Sequence, residues 1–339
     1  MRYGIIGCGR IYQNHVRAAQ LVDGIEVVGL ADSDEGTLAK AVDETGLPGF
    51  SDYRQLVDAG AEAVALCLPH SAHAEVCIDL AKRGVHILSE KPLATTLDDC
   101  DRMIEACEAA KVQLGVVFQH RFNENSVILR RLIDDGDLGD LVLGTAIFQY
   151  HKAPADAAYF EWRGSIRQAG GGVLANFGVH TIDLLLWLMG PAKAAHGFIG
   201  TLSMGTEIED TGVAAVQFES GALGTIAATL ASAVDFESRL CISGTKATAV
   251  LTDSSALEVQ RVDGRSATYR FDGLLDDKAY PTKAPYGRGH IDVLRDFAEA
   301  VRDGRPPASD GRSARQTQSV ITKIYQQAND HGLQTARTT

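Results

Sequence analysis

The sequence predicts an α/β domain built on a doubly wound parallel sheet, followed by an α+β domain with a large, mainly antiparallel open sheet. Three observations predict it. Over the first 120 residues, short apolar runs rich in β-branched residues alternate with helical stretches, the pattern of parallel strands buried on both faces. Beyond that point the alternation stops, and Ser220-Gly221, Ser243-Gly244 and Asp263-Gly264 mark the hairpins of an antiparallel sheet. Finally, Gly7 and Gly9 fall where the first apolar run gives way to a helix.

The elements follow in order. RYGIIG, IEVVGLA, AEAVALCLP, VHILS and VQLGVVF read as strands, with helices over 11–22, 34–45, 71–83 and 95–110 between them. A helix at 124–135 ends in the turn DDGDLGD, and the long strand LVLGTAIFQY follows. A polar loop leads into GGGVLANFGVHTID, read as one helix entered through three glycines. Hairpin strands come next, and helices at 289–303 and 311–328, split by the breaker DGRPP, close the chain. The domain boundary is placed after residue 121, giving domains 1–121 and 122–339, since 339 residues exceed what one core comfortably holds.

A composition of 45% hydrophobic and 22% charged residues is that of a soluble globular protein. The net charge of −12, with no basic cluster denser than Arg130-Arg131 or Lys82-Arg83, argues against nucleic-acid and membrane partners. Six cysteines without a C-x-x-C pair point away from zinc and disulfides and toward a reducing, cytoplasmic setting. The first residues run directly into a strand-like segment, which leaves no room for a signal peptide.

GIIGCGRIY sets Gly7, Gly9, Arg10 and Ile11 at a strand–helix turn, where backbone can approach a pyrophosphate and the helix start attracts it. Asp32, 23 residues after Gly9, ends the second strand, where a carboxylate accepts from an adenosine ribose. Together these predict a bound dinucleotide in a Rossmann domain. With Ser33 next to Asp32 and no arginine for a 2′-phosphate, NAD is favoured over NADP. The third small position of the turn holds Tyr12, whose ring must leave the helix–strand contact or reshape it. Glu90, Lys91 and Pro92 follow the fourth parallel strand, at the edge where open α/β sheets bind ligands. A lysine there can hydrogen-bond a substrate oxygen; the plainer alternative is a surface lysine before a proline.

LPHSAHAEVCIDLAKRGVHILSEKPLA, with GIIGCG before it and GVVFQHRFN after it, resembles the Gfo/Idh/MocA oxidoreductase family. The resemblance continues through WRGS, GGGVLANFGVHTIDLL and GRGHIDVLRDFAEAVRDGRPP. It implies NAD(P)-linked oxidation or reduction of a sugar or cyclitol, with assembly into a homodimer or homotetramer through the second domain's sheet face. Lys91 is then the lysine that contacts substrate and nicotinamide ribose. Pro69, His70 and His73 match the strand-end loop lining the cofactor, with His70 where the family often has asparagine, and Gln119 approaches the nicotinamide. In the second domain, His180 matches the family's proton-transfer residue, and Asn176 stands where many members carry aspartate. Asn176 still offers hydrogen bonds to sugar hydroxyls, as in sugar-nucleotide members that carry asparagine there. Asp183 either orients the His180 ring or pairs locally. Trp162 and Arg163 resemble an element near the substrate, the arginine suited to a hydroxyl, carboxylate or phosphate. Tyr159, Tyr286 and His290 are further candidates near the site. Two other activities remain open: an NAD-dependent glycoside hydrolase working by transient oxidation, and a non-catalytic nucleotide-sensing regulator, against which retention of both Lys91 and His180 argues.

Overall fold

The computed structural model describes residues 1–152, 157–252, 256–270 and 289–330, with the backbone alone at 157–159 and 329–330. Of these, residues 1–119 and 289–315 form one compact unit, and residues 120–270 and 316–330 form a second.

The first unit is built on six parallel strands: β1 (Arg2–Ile6), β2 (Glu26–Ala31), β3 (Gly49–Phe50), β4 (Ala63–Leu66), β5 (His86–Ser89) and β6 (Leu114–Val116). Their order is β3-β2-β1-β4-β5-β6, so strand order reverses direction between β1 and β4. That reversal opens a ligand crevice at the carboxyl ends of the strands. The expected helices are present at Tyr12–Leu21, Glu35–Thr45, His73–Lys82 and Leu97–Ala110. Local chemistry sets several ends: Asp34 accepts from the Thr37 amide, and Thr96 accepts from the Asp99 amide. The short β3 and the helix Tyr53–Asp58, which Asp52 caps, have too few residues to show a period.

Residues 289–315 belong to this unit, whereas the sequence reading put everything after 121 in the second domain. The reason is an unfilled edge. β6 ends the sheet, and the chain returns to it: the Val116 amide donates to the Ser309 carbonyl at 2.8 Å, and Gly115 bridges Asp310. The helix Gly289–Asp303 covers the same edge, with Phe297 buried against Gly115. Such a return leaves no local sequence signal.

The second unit holds eight strands: β7 (Leu141–His151), β8 (Ala192–Gly200), β9 (Thr211–Phe218), β10 (Leu223–Thr229), β11 (Ala231–Gly244), β12 (Ala247–Thr252), β13 (Ala256–Arg261) and β14 (Ser266–Arg270). The order is β14-β13-β12-β11-β7-β10-β9-β8, antiparallel except for the parallel pair β7–β10. One face is packed by the helix Val179–Met189, whose Leu185 and Met189 sit on Gly144. Alternate residues point the other way, so β9 reads buried–exposed along most of its length.

The stretch expected as one helix is two. Val173–Phe177 is a π turn, closed by the Gly178 amide on the Val173 carbonyl at 2.7 Å, and Val179–Met189 is α-helical. The axes of Ile166–Phe177 and Val179–Met189 are bent by 60°. The glycines before it are demanded by close approach. At Gly171 (φ +151°) a Cβ would lie 2.2 Å from the Tyr325 hydroxyl, and at Gly172 it would lie 1.8 Å from the Glu209 carbonyl oxygen. Because the latter contact is with backbone, Gly172→Ala should lower stability by about 2–3 kcal/mol, the upper range for overpacking. Urea unfolding checks this; an unchanged midpoint would show that the backbone yields.

Candidate active site

At the crevice of the first unit, Gly7 carries φ +95°, and a Cβ there would lie 2.5 Å from the Cys67 carbonyl oxygen at the end of β4. Its amide donates to Ala31 at 2.8 Å, which ties the turn to β2. At Gly9, by contrast, a Cβ would meet no protein atom. The chain itself therefore does not demand glycine at 9, and the room beside the helix start suits an approaching phosphate. Helix Tyr12–Leu21 begins without a side-chain cap and with no acidic residue in its first turn, so its first amides face outward from a positive helix end. Arg10 is exposed and Ile11 half-buried at this entry. Tyr12 is buried, and its hydroxyl donates to Glu44 at 2.5 Å.

Asp32 is held by its own backbone surroundings. Its carboxylate accepts from the Cys8 amide at 2.8 Å through Oδ2 and from the Asp34 amide at 2.9 Å through Oδ1. Both bonds fix its direction, while each oxygen keeps a lone pair for a ribose hydroxyl. Ser33 beside it is exposed. A dinucleotide fits this donor set: a cradle a Cβ would fill at Gly9, an uncapped helix start and an aligned carboxylate.

Pro69 is half-buried and His70 buried in the turn His70–Ala72 after β4. His73, expected on the cofactor-lining loop, lies behind it, fully buried. Its Nδ1 faces the Leu93 carbonyl and its Nε2 the Leu68 carbonyl, each at 3.1 Å. The ring thus joins the loops after β4 and β5, and burial holds its pKa below the usual histidine value. Glu90 is likewise turned inward: Oε1 lies 3.0 Å from His15 Nε2 and 3.5 Å from His290 Nε2, and Oε2 accepts from the Lys91 amide at 3.3 Å. Burial alone would raise its pKa, but the two imidazoles outweigh burial and hold it well below the carboxylate range. Lys91 itself is half-buried, joined to Pro92 by a cis peptide bond. Gln119 opens the short turn Gln119–Phe122 after β6; it is buried, its Oε1 has no hydrogen-bond partner among the described residues, and Gly289 packs against its Cβ.

In the second unit, His180 stands in the first turn of Val179–Met189, half-buried, its ring 5.0 Å from that of His120. Asn176 sits in the π turn, so it and His180 do not share a continuous helical face. Its Nδ2 donates to the Gly171 carbonyl at 3.0 Å. Asp183 pairs locally: Arg121 donates to both of its oxygens at 2.5 and 2.7 Å, and the Thr317 hydroxyl donates at 3.0 Å. Burial pushes this carboxyl up against the pull of Arg121. Arg163 lies over the Trp162 ring, 4.2 Å from its centroid. Tyr286 and the side chain of Tyr159 lie outside the described residues.

Sequence reasoning missed Glu209. Buried in a polar-looking loop, it accepts from the Gly172 amide at 2.7 Å, the Leu174 amide at 3.0 Å and the Tyr325 hydroxyl at 2.8 Å, which fixes the π turn from behind. Burial pushes its pKa up. Nothing in TEIED distinguishes a buried acid from a solvated one. Arg121 and His15 were missed for the same reason.

Residues 1–118 match the GFO/IDH/MocA oxidoreductase family's NAD-binding Rossmann fold, and residues 127–250 match the GFO/IDH/MocA C-terminal domain. Myo-inositol 2-dehydrogenase of Thermotoga maritima is 27% identical over 332 residues, covering 93% of this chain and 92% of the relative. The rhizopine catabolism protein MocA of Rhizobium meliloti is 32% identical over 190 residues, 56% of this chain and 57% of the relative. Among solved structures, the WlbA dehydrogenase of Bordetella pertussis, in complex with NADH and UDP-GlcNAcA, superposes with a TM-score of 0.85 at 32% identity, covering 98% of this chain and 96% of the other. The chain belongs to the GFO/IDH/MocA family of oxidoreductases, and its first unit is that family's NAD-binding Rossmann fold.

Proposed function

We propose that this NAD-dependent enzyme transfers hydride between nicotinamide and a secondary alcohol or ketone of a sugar, cyclitol or sugar derivative, with Lys91 and His180 assisting the proton. The observation that carries the reading is likeness along the whole chain to dehydrogenases of this kind, in a sequence that keeps both residues. Bound NAD supplies the hydride acceptor. The chain's own task is the hydroxyl proton, since a neutral alcohol that loses hydride leaves a protonated carbonyl unless a base acts. His180 takes that proton; imidazole suits the task because it exchanges protons near neutral pH. The Lys91 ammonium donates to the same oxygen and stabilises it as charge develops. Arg163 and Asn176 serve the remaining polar groups of the substrate.

A nucleotide-linked sugar is the finer reading within this class. The relative that is 32% identical over nearly the whole chain was solved with UDP-GlcNAcA, and Asn176 fits a member that departs from the plain inositol dehydrogenases. For the cofactor, Asp32 and the neighbouring Asp34, which caps the helix Glu35–Thr45, present negative charge where a 2′-phosphate would lie, so NAD is bound in preference to NADP.

The outer face of the second unit's sheet supports self-association. Phe198, Val213, Leu223 and Leu143 are 59%, 45%, 56% and 41% exposed on adjacent strands, an apolar patch of the sort that marks protein contacts. A homodimer or homotetramer joined there covers it.

Absorbance at 340 nm, followed with NAD against inositols, simple sugars and UDP-sugars and in reverse with NADH, should reveal turnover in at least one class. Lys91→Ala and His180→Ala should each lose roughly 10²–10⁴-fold in rate while still binding NADH; near-normal rates would remove them from the mechanism. Release of an aglycone with no net NADH would instead select the hydrolase.

Asp32→Ala should weaken NADH binding by roughly tenfold or more, the worth of hydrogen bonds to a charged group. Fluorescence titration measures this, and unchanged affinity would refute the ribose assignment. Phe198→Lys combined with Leu223→Lys should lower the solution mass by light scattering; an unaltered assembly would place the interface elsewhere.

A further inference from the structure

The π turn Val173–Phe177 starts without a side-chain cap from its own N-cap residue, Gly172, although the first amides of a helical turn need acceptors from outside it. Glu209, 37 residues beyond Gly172, supplies three of them. Its Oε2 accepts from the Gly172 amide at 2.7 Å, its backbone carbonyl from the Val173 amide at 2.9 Å, and its Oε1 from the Leu174 amide at 3.0 Å. Three consecutive N–H groups thus end on one residue. Two of their peptide planes lead onward to a single side chain. The plane joining Gly171 to Gly172 presents its carbonyl to Asn176 Nδ2 at 3.0 Å, and the plane joining Gly172 to Val173 presents its carbonyl to the Asn176 amide at 2.9 Å. Each plane carries Glu209 on its N–H side and Asn176 on its C=O side. The Tyr325 hydroxyl, from helix Gly311–Asp330, adds a fourth donor, to Oε1, at 2.8 Å. Glu209 and Asn176 are both 6% exposed, so these bonds are shielded from water.

We propose that Glu209 is a positioning residue for substrate: through these two peptide planes it sets the direction of the Asn176 side chain, and with it the affinity for the polar groups that Asn176 meets. This rests on Asn176 acting as a substrate contact, as proposed above. Hydrogen bonds in series polarise one another, so an acceptor on the N–H side of a peptide strengthens the carbonyl on its far side. A carboxylate can serve both amides because both of its oxygens accept. An amide side chain of the same shape accepts at one end and donates at the other. In Glu209→Gln the Leu174 amide and the Tyr325 hydroxyl, which both donate at Oε1, draw the glutamine oxygen to their side. Its NH2 group then faces the Gly172 amide, donor against donor. That peptide plane turns, and the Gly171 carbonyl turns away from Asn176 with it.

The chain has five asparagines, so labelling the whole enzyme with [15N]asparagine gives a sparse NMR spectrum. The Asn176 Nδ2 signal is identified by its absence from Asn176→Ala, and no substrate is needed. In Glu209→Gln that signal should move upfield in the proton dimension and exchange faster with solvent, as its bond to the Gly171 carbonyl weakens. In Tyr325→Phe, which keeps the carboxylate and its amide bonds, it should stay near the parent position. Kinetics with the UDP-sugar or inositol that turns over then separates positioning from packing. Glu209→Gln should raise KM roughly twofold to tenfold, the worth of one hydrogen bond, with kcat and NADH affinity little changed. Combined with Asn176→Ala, it should raise KM no further than Asn176→Ala alone, the non-additivity of residues that act as a unit.

An Nδ2 signal unmoved in Glu209→Gln, with the fold intact by circular dichroism, would overturn the proposal. A signal displaced as far in Tyr325→Phe as in Glu209→Gln would do so too, by assigning the turn to the packing of the last helix. The Tyr325 variant reads the same link where the glutamine chain does not fold. Additive KM effects in the double variant, or an equal loss of NADH affinity, would place the effect outside Asn176 and overturn it as well. Failure of the underlying reading is separate: Asn176→Ala with the parent KM removes Asn176 from the substrate contacts, whatever its signal does in Glu209→Gln.

Discussion

A carboxylate taken out of water must find donors, and in this chain three such carboxylates govern the segments that carry the chemistry. Leaving a buried carboxylate unpaired costs several kcal/mol. Glu90 is met by His15 and the Lys91 amide, Asp183 by Arg121 and Thr317, and Glu209 by the amides of Gly172 and Leu174 and by Tyr325. In every case at least one donor comes from a part of the sequence far from the acid. None of these arrangements can be completed by a local element. Each forms only when its unit has closed around it.

The donors also decide the charge each acid carries. Glu90 faces two imidazoles and an amide, and these hold it ionised against its burial. Among the described residues Glu209 faces backbone amides and a phenol, and burial wins, raising its proton affinity. The difference suits their positions. Glu90 lies next to Lys91, where a fixed negative charge behind the chain orients donors. Glu209 lies behind the π turn, where hydrogen bonding shapes the backbone and no cation is needed. Asp183 stands between these cases, with a bidentate guanidinium that meets both carboxylate oxygens.

What was legible in the sequence follows from the same distinction between local and distant causes. The parallel strands show because burial on both faces makes them continuous apolar runs. The helix bounds follow their caps, Asp34 and Thr96 among them, within a residue or two. Gly7 and Asp32 were legible because a turn and a strand end prescribe them. The return of residues 289–315 to the first unit was not, since the edge of β6 calls for a partner without naming one. The inward roles of His73 and Glu90 were hidden as well, because a polar residue at a strand end reads the same whether it faces a ligand or the protein. Asp183 kept two readings open until Arg121 settled it as a local pair.

Asn176 shows how such a position is better understood from its surroundings than from what it replaces. The three glycines bring the backbone against Tyr325 and Glu209, and the chain then turns through a π turn rather than a regular helix. That path leaves the Gly171 carbonyl facing the side chain at 176, which meets it with Nδ2 at 3.0 Å. An ionised aspartate has only acceptors, so in this turn it would set a carboxylate oxygen against a carbonyl oxygen. The amide is therefore what this backbone requires. A site with asparagine here has not lost an acid from an otherwise unchanged helix. It has a turn whose geometry and side chain are matched, and His180 follows it in the first turn of the next helix.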